Sequence, residues 1–210
     1  MVIKDYGMKS YNDVLQQQMS LCQQRIEGEI PDTVILTEHF DVITLGANEN
    51  KNLLKVGREE LIEKGIEVVE TRRGGGVTAH NPGQIVIYPI VDIKLLGLDI
   101  GKYIRKLEQV GIELLEQFDV ECGRLKGEPG LWIGNKKIGS IGVKVKRWVT
   151  CHGMAINICN DLSIFDDIVP CGIKDVTITS VFEETGKKYS MDKVKDMLKE
   201  ILEERFKADG

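Results

Sequence analysis

The sequence predicts an α+β fold, because its strand-like and helix-like segments are grouped rather than regularly alternating. Strand patterns cluster at residues 33–46 and 131–158, and amphipathic helical patterns lie between and after these blocks. No internal repeat or low-complexity segment interrupts the 210 residues, a length typical of one large domain. We therefore expect a single domain over residues 1–210, the alternative being that residues 176–210 form a semi-separate C-terminal unit.

Each element follows from hydrophobic period and from turn signals. Apolar residues at helical spacing after a possible N-cap, Ser10 or Asn12, predict the first helix, with Met19 and Cys22 on its buried face. A glycine ends the short helix, and runs of apolar or alternating residues mark the strands. In chain order we predict a helix at 10–27, two strands within 33–46, a short helix and strand within 58–72, a buried strand at 84–91, a helix at 100–118, a β-rich block at 131–158 and a helix at 190–207.

The composition excludes several functional classes. A net charge of −5 argues against a nucleic-acid binder, because neutralising phosphates requires a basic surface. No apolar run approaches the length of a membrane span, and the N-terminus lacks the apolar segment of a signal peptide. We expect a cytoplasmic protein that binds neither nucleic acid nor membranes.

The cysteines indicate neither a disulfide framework nor a metal site, because their number is odd and no C-x-x-C pair occurs. They are Cys22, Cys122, Cys151, Cys159 and Cys171. Cys22, Cys151 and Cys159 have the sequence context of packing residues. Cys171 differs, since Pro170 fixes the backbone before it and Gly172 frees the backbone after it. A thiol on such a turn is both positioned and accessible.

A glycine-rich segment, RRGGGVTAHNPGQ (residues 72–84), is a candidate binding loop. Consecutive glycines let a ligand approach the main chain, and their N–H groups can form an anion-binding nest. Without G-K-[ST] the segment is not a P-loop, and without a following helix it is not a dinucleotide fingerprint. The alternative interpretation is a flexible turn between strands.

The segment NKKIGSIGVKVKRW (residues 135–148) predicts a strand in which Lys137 shares a face with apolar residues, whereas Lys136, Lys144 and Lys146 lie on the other face. A buried lysine is costly unless a carboxylate, a thiolate or a ligand meets its charge. The alternative is a β-bulge that leaves Lys137 in solvent.

A cysteine nucleophile reacts as the thiolate, and a free thiol with a pKa of about 8.5 is mostly protonated at neutral pH. A nearby lysine lowers that pKa, and Lys137 is the lysine predicted to point inward. We therefore favour a Cys171–Lys137 dyad over a cysteine–histidine dyad. His152 shares strand parity with apolar residues and is interpreted as a hydrogen-bonded core histidine.

The sequence contains four motifs in the order RGGGVTAHNPGQ, KIGSIG, HGMAIN and PCGI, and EHFDVITLG precedes them near the N-terminus. Together these segments resemble the lipoyl(octanoyl) transferase family. Its members are octanoyl-(acyl-carrier-protein):protein N-octanoyltransferases, and the resemblance spans most of residues 10–180. It implies a fold of the biotin/lipoate protein ligase type, with mixed or antiparallel sheets and flanking helices. It also implies a two-step acyl transfer without a cofactor or a metal.

On that resemblance Cys171 takes the octanoyl group from acyl carrier protein as a thioester. It passes the group to a lysine of the lipoyl domains of 2-oxoacid dehydrogenases or of the glycine-cleavage H protein. Lys137 is implied to lower the pKa of Cys171 and to act as acid and base. The implied substrate-binding residues are Arg73, Gly74, Gly75, Gly76, Val77, Thr78, Ala79, His80, Ser140, Ile141, Gly142, Gly153, Met154 and Ala155.

The chain departs from the family pattern at Asn81, where the family usually has glycine. Asparagine tolerates left-handed backbone geometry better than most residues, so we expect the turn to persist. Other functions stay open on the sequence. They are an ATP-dependent lipoate or biotin protein ligase, which would not need Cys171, an amidotransferase acting between lipoyl domains, and a non-catalytic protein that binds an acylated carrier.

Overall fold

The computed structural model describes residues 1–172 and 176–206, and the side chain of Cys171 lies outside the description, as does the predicted helix end at residue 207. The α-helices of the described residues are α1 (Tyr11–Glu27), α2 (Arg58–Glu63), α3 (Ile100–Glu116), α4 (Val181–Thr185) and α5 (Met191–Arg205). The strands are β1 (Val2–Lys9), β2 (Thr33–His39), β3 (Val42–Leu45), β4 (Glu67–Glu70), β5 (Thr78–His80), β6 (Gln84–Ile90), β7 (Gly123–Leu125), β8 (Glu128–Ile133), β9 (Lys136–Lys146), β10 (Val149–Asn157) and β11 (Thr177–Ile178).

The strands form two mixed sheets. The main sheet has the order β1-β2-β6-β10-β9-β8-β7, with β11 paired beside β9, and the small sheet has the order β4-β3-β5. Most pairs are antiparallel, but β1–β2, β3–β4 and β9–β11 are parallel. The predicted α+β class is confirmed. The two strands predicted within residues 33–46 are present, but β2 and β3 belong to different sheets.

Helices cover both faces of the main sheet. The helix α3 contributes fully buried side chains such as Leu107 and Leu114 to the larger core, and α5 adds Leu198 to the same cluster. On the other face α1 packs through Val14 and Cys22. Residues 176–206 therefore share the main core and do not form a separate unit. None of the described helices combines the length and the apolar character needed to cross a membrane.

The helix α1 buries a glutamine that the apolar pattern did not select. Its N-cap is Ser10, whose hydroxyl accepts a hydrogen bond from the Asp13 N–H at 3.2 Å. Met19, predicted on the buried face, is 37% exposed, whereas Gln18 is fully buried. The prediction for Met19 was wrong because the helix face toward the sheet is centred one residue earlier.

A bulge in β9 changes which side chains share a face. Leu131 pairs with Gly139 and Trp132 pairs with Lys137, so Ile138 is an extra residue between these two pairs. Ile138 therefore packs into the same core as the apolar residues that follow it, not with Lys136 as parity predicted. Lys137 is nevertheless only 2% exposed. The predicted burial of Lys137 is confirmed, although the strict alternation used to predict it was wrong.

Candidate functional site

One pocket lies where the small sheet meets the central strands of the main sheet. The empty space in and around it is about 440 Å³, a value that includes the open solvent at its mouth. Its lining residues come from α1, the glycine-rich loop, β5, β6, β9 and β10. They are Tyr11, Arg73, Gly75, Gly76, Thr78, His80, Val86, Tyr88, Ser140, Ile141, Gly142, His152, Gly153, Met154 and Ala155.

The glycine-rich loop forms a packed wall of this pocket. The N–H of Gly74 donates to the carbonyl of Val143 at 2.9 Å, and the N–H of Val77 donates to the carbonyl of Lys51 at 3.0 Å. A Cβ atom added at Gly76 would lie 2.3 Å from the Cβ of Lys51, so only glycine fits there. The structure therefore favours the binding loop over the flexible turn.

Strand alternation decides which predicted residues reach the pocket. In β5 the side chains of Thr78 and His80 line it, whereas Ala79 and the preceding Val77 are fully buried in the core of the small sheet. All predicted substrate-binding residues line the pocket except Gly74, Val77 and Ala79. The three motif segments around residues 73–80, 140–142 and 153–155 are thus brought together.

Four lining residues were not among the predicted ones: Tyr11, Val86, Tyr88 and His152. Tyr11 begins α1 and reaches the pocket through tertiary packing alone, so no local signal marks it. Alternation along β6 places Val86 and Tyr88 on one face, and this pattern could have found them. His152 was interpreted as a hydrogen-bonded core residue, but it borders the pocket and its Nδ1 has no hydrogen-bond partner among the described residues.

Arg73, and not Arg72, faces the pocket. Its guanidinium is held by neutral acceptors of the small sheet and loop. The Nη2 atom donates to the carbonyl and to the hydroxyl of Thr44, each at 2.8 Å, and Nη1 donates to the carbonyl of Gly74 at 3.2 Å. Arg73 is 7% exposed, whereas Arg72 is exposed. The arginine that the family resemblance implies in substrate binding is thus the one at the pocket.

Asn81 keeps the loop in shape by side-chain bonding and not by the left-handed geometry that we expected. Its φ is not among the positive values of the described residues. Its amide donates to the carbonyl of Asp161 at 2.7 Å and accepts a bond from the amide of Asn160 at 2.9 Å. This residue therefore attaches the loop to the segment after β10.

Two of the three histidines, His80 and His152, line the pocket, and His39 contacts the lining residue Tyr88. The Nδ1 of His39 bonds the carbonyl of Lys9 at 3.0 Å, and its Nε2 bonds the hydroxyl of Tyr88 at 2.8 Å. The Nδ1 of His80 bonds the side-chain oxygen of Gln84 at 2.7 Å. No group of three or more His, Cys, Asp or Glu side chains within the described ranges is arranged to hold a metal ion.

Burial keeps these imidazoles neutral. Loss of solvation lowers the pKa of His39 to about 4. It also lowers the pKa values of His80 and His152 to about 3, with smaller contributions from His39 and Arg73 respectively. Each ring therefore presents one donor and one acceptor at physiological pH.

This burial predicts a pH-dependent stability. Between about pH 6.5 and 5 the unfolded chain protonates three imidazoles that the folded chain keeps neutral. The free energy of unfolding should therefore have its full value above about pH 6.5. On acidification it should fall by up to about 1.4 kcal/mol per pH unit for each histidine. Urea unfolding at pH 7.5, 6 and 5 measures this slope.

A matched variant separates the histidines from other groups. Replacing His39 with glutamine removes one of three titrating groups and should reduce the slope by about a third. The pKa values of the carboxyl groups of Glu113, Asp161 and Glu184 are lowered. These groups therefore change the stability only at a pH below the range in which the histidines do. A stability that stays flat from pH 6.5 to 5 would contradict the prediction.

Lys137 lies buried in β9, three residues before the first pocket-lining residue of that strand. Its Nζ donates to the carbonyl of Pro129 at 3.3 Å and sits 4.9 Å from the centroid of the Trp132 ring, a cation–π distance. A Cβ atom at Gly130 would lie 2.9 Å from the Cε of Lys137. The glycine in β8 therefore makes room for the lysine side chain.

The turn that carries Cys171 approaches the glycine-rich loop through Lys51. A Cβ atom built at Gly172 would lie 2.9 Å from the Cβ of Lys51, the residue that also packs against Gly76. Beyond this turn β11 pairs with β9, and Ile178 lies opposite Lys137. The distance between the two side chains of the predicted dyad involves the Cys171 side chain and stays a prediction.

This arrangement has the fold of the lipoate and biotin protein ligases. A putative lipoate protein ligase from T. acidophilum, with bound lipoic acid, has a TM-score of 0.72 at 16% identity, covering 97% of this chain and 84% of that chain. For a biotin protein ligase from Aquifex aeolicus in complex with biotin and ATP, the TM-score is 0.54 at 16% identity, covering 98% and 68%. These likenesses confirm the predicted fold type.

Sequence similarity is more specific. The family model of the lipoyl protein ligase A/B catalytic domain matches residues 10–203. An octanoyltransferase of Desulforamulus reducens is 42% identical over 189 residues, which are 90% of this chain and 83% of that protein. The chain belongs to the lipoyl protein ligase A/B catalytic-domain family, among its octanoyltransferases, and the predicted family is confirmed.

Proposed function

We propose that the chain transfers an octanoyl group from acyl carrier protein, through a thioester on Cys171, to a lysine of a lipoyl domain. The observation that carries the proposal is the convergence of three separated motif segments on one pocket, with Lys137 buried in the same strand as one of them. The family supports the octanoyl group as the group transferred, and Cys171 and Lys137 are the residues proposed to carry out the transfer.

In the first step the Cys171 thiolate attacks the carbonyl of the carrier thioester. A carbon–sulfur bond to Cys171 forms, the bond to the carrier thiol breaks, and the released thiolate takes up a proton. In the second step a lysine amine of the acceptor attacks the new thioester. An amide forms, the amine loses a proton, and the Cys171 thiolate is regenerated. Lys137 exchanges these protons.

The energetics of the two steps need no cofactor and no ATP. Exchange of an acyl group between two thiols is nearly balanced, whereas passing the group from a thiol to an amine makes a more stable amide. A backbone N–H group near the thioester oxygen would stabilise the oxyanion that forms in each step. Splitting the transfer lets the donor and the acceptor use one site in turn.

The proposed acceptors are the lipoyl domains of 2-oxoacid dehydrogenases and of the glycine-cleavage H protein, and the proposed donor is octanoyl acyl carrier protein. The mechanism requires a reduced thiol. The cysteines with described side chains, Cys22, Cys122, Cys151 and Cys159, are all free. A reducing cytoplasm therefore suits the chemistry.

Intact-protein mass spectrometry tests the covalent step. After mixing with octanoyl acyl carrier protein, we expect the wild type to gain the mass of one octanoyl group, and the Cys171→Ala variant to gain none. Cys122→Ala is the matched control, because Cys122 is a partly exposed thiol in another region of the described residues. An adduct that persists in Cys171→Ala, or that is absent from the wild type, rules out the proposed intermediate.

An ATP-dependent ligase is the second candidate, because the fold neighbours include proteins of that class. A ligase would release pyrophosphate from ATP with free octanoate or lipoate, and Cys171→Ala would retain the activity. An amidotransferase would form the same thioester but would accept the group from an octanoylated lipoyl domain. Donor preference therefore separates the amidotransferase from the proposed enzyme.

A further inference from the structure

His152 adopts an unusual backbone conformation for a strand residue. It lies within β10, opposite Val143 of β9, yet its φ is 58°, in the left-handed region. Non-glycine residues pay about 1–2 kcal/mol for this conformation. The side chain is only 2% exposed and borders the pocket. Strain of this kind persists where the surrounding structure imposes it, and it is frequent at ligand sites.

Two buried polar groups beside this strand lack hydrogen-bond partners among the described residues. They are the Nδ1 of His152 and the Nε2 of Gln18. The Gln18 side chain is held next to His152, because its oxygen accepts the backbone N–H of that residue at 2.8 Å. A buried polar atom without a partner costs about 1–3 kcal/mol. A ligand or water atom that bonded either group would recover that cost.

His152 lies at the end of the pocket that is remote from Lys137. The lining pairs of the β9–β10 ladder, counted away from Lys137, are Ser140–Ala155, Ile141–Met154 and Gly142–Gly153, and the next pair is Val143–His152. Three registers of antiparallel strand span about 10 Å. An extended eight-carbon chain spans roughly 9 Å, with C–C bonds of about 1.5 Å. An acyl chain that starts near Ser140 therefore ends near His152.

Other side chains that line this pocket are polar as well. Arg73 and Tyr11 line the same pocket, and the ring of Tyr11 stacks on His80 with the ring centroids 5.7 Å apart. A tunnel built only for a hydrocarbon would end in aliphatic side chains, because burying unpaired polar groups against methyl groups is unfavourable. The end of this pocket is instead suited to a hydrogen-bonding atom.

We propose that His152 forms a polar subsite at the end of the acyl pocket, and that the protein accepts medium-chain acyl groups with a terminal hydroxyl in addition to the octanoyl group. The inference rests on the proposed function for the position of the reacting carbonyl near Lys137. The hydroxyl donates to, or accepts from, the neutral imidazole. When an unsubstituted octanoyl chain is bound, a water molecule can satisfy the same atoms.

Binding of two free acids of equal length tests the subsite without turnover. In 8-hydroxyoctanoate a hydroxyl replaces the terminal methyl group of nonanoate. An apolar pocket would bind the hydroxy acid roughly tenfold or more weakly. We expect the wild type to bind 8-hydroxyoctanoate at least as tightly as nonanoate in titration calorimetry. A preference for nonanoate overturns the proposal.

Two variants locate the effect at His152. His152→Asn keeps a hydrogen-bonding group and tolerates the left-handed backbone, so the ratio of the two affinities should stay near the wild-type value. His152→Leu should shift the ratio by roughly tenfold or more toward nonanoate, while Met154→Leu, in the same pocket, should leave the ratio unchanged. A merely structural role of His152 would weaken both acids equally, and that result would also overturn the proposal.

Transfer of an octanoyl group, measured in parallel, reports on the proposed function separately. A protein that transfers octanoyl groups but binds nonanoate in preference has the function without the subsite. A protein that prefers 8-hydroxyoctanoate but transfers no octanoyl group has the subsite without the function.

Discussion

Replacing Lys137 with methionine is expected to lower kcat/KM for octanoyl transfer by roughly 10²- to 10⁴-fold, the range that a positioned acid–base group contributes. Lys137 is 2% exposed, and its Nζ is held beside the Trp132 ring and the Pro129 carbonyl. Methionine fills nearly the same volume as the lysine stem, so the packing of β8 on β9 should be retained. The loss would then come from the missing amine.

The control for this variant is Lys136→Met in the same strand. The Lys136 side chain is 43% exposed and its Nζ forms an ion pair with Glu184 at 2.8 Å. A surface pair of this kind contributes about 0–1 kcal/mol to stability, so little change in transfer is expected.

Single-turnover kinetics should show both acylation of Cys171 and transfer to the acceptor slowed in Lys137→Met, because the lysine is proposed to exchange a proton in each step. Unfolding measurements verify that both variants keep the fold. If Lys137→Met transfers octanoyl groups at a rate close to wild type, the dyad is wrong and Lys137 has a packing role.

The parts of this fold that could be predicted are those in which one local pattern decides the outcome. The helix α3 has a clear apolar period. Of the residues that we predict to point inward, Leu107, Leu114, Leu115 and, just beyond the helix, Phe118 are fully buried, whereas Ile104 is half-buried. The strand β6 is a continuous apolar run and is buried throughout. In both elements the segment's own residues determine its structure, and tertiary contacts only add to it.

The parts that were missed depend on neighbours that are distant in the sequence. The edge strand β1 alternates poorly, and it becomes a strand because it pairs in parallel with β2. The burial of Gln18 depends on the backbone N–H of a residue 134 positions away. Neither signal is present in a local window, so pattern reasoning could not have found them.

The candidate site shows the same division. Motif order placed the glycine-rich loop and the β9 and β10 segments correctly, because glycines that permit close backbone approach leave a visible mark in the sequence. The bulge at Ile138 leaves no such mark, and it reverses the parity from which the orientation of Lys137 was argued. Similarly, Tyr11 reaches the pocket only because α1 packs across the sheet.

Substitution of Gly153 by alanine is expected to destabilise the fold by about 3 kcal/mol. A Cβ atom at this position would lie 2.0 Å from the carbonyl oxygen of Ile87 and 2.9 Å from the Cδ of Pro89. Both neighbours belong to β6, which is buried along its whole length and has no free space in which to move. Overpacking against fixed backbone typically costs about 1–3 kcal/mol, and this contact is at the severe end.

Urea unfolding measures this cost, with Gly123→Ala as the matched control. Gly123 lies in β7, and no atom lies within 4 Å of a Cβ added there. That variant should stay within about 0.5 kcal/mol of wild type. For a chain of this size a loss of about 3 kcal/mol corresponds to a fall in Tm of roughly 6–12 °C.

Unfolding of the two variants, together with binding of octanoate, also distinguishes the roles that the glycine of the HGMAIN motif can have. A loss of stability in Gly153→Ala with no loss in Gly123→Ala assigns the glycine to the close approach of β10 and β6. Unchanged stability with weakened binding of octanoate would instead assign it to the pocket wall and contradict the packing argument. Because Gly153 also lines the pocket, the packing argument predicts that binding weakens together with stability, in the same variant and under the same conditions.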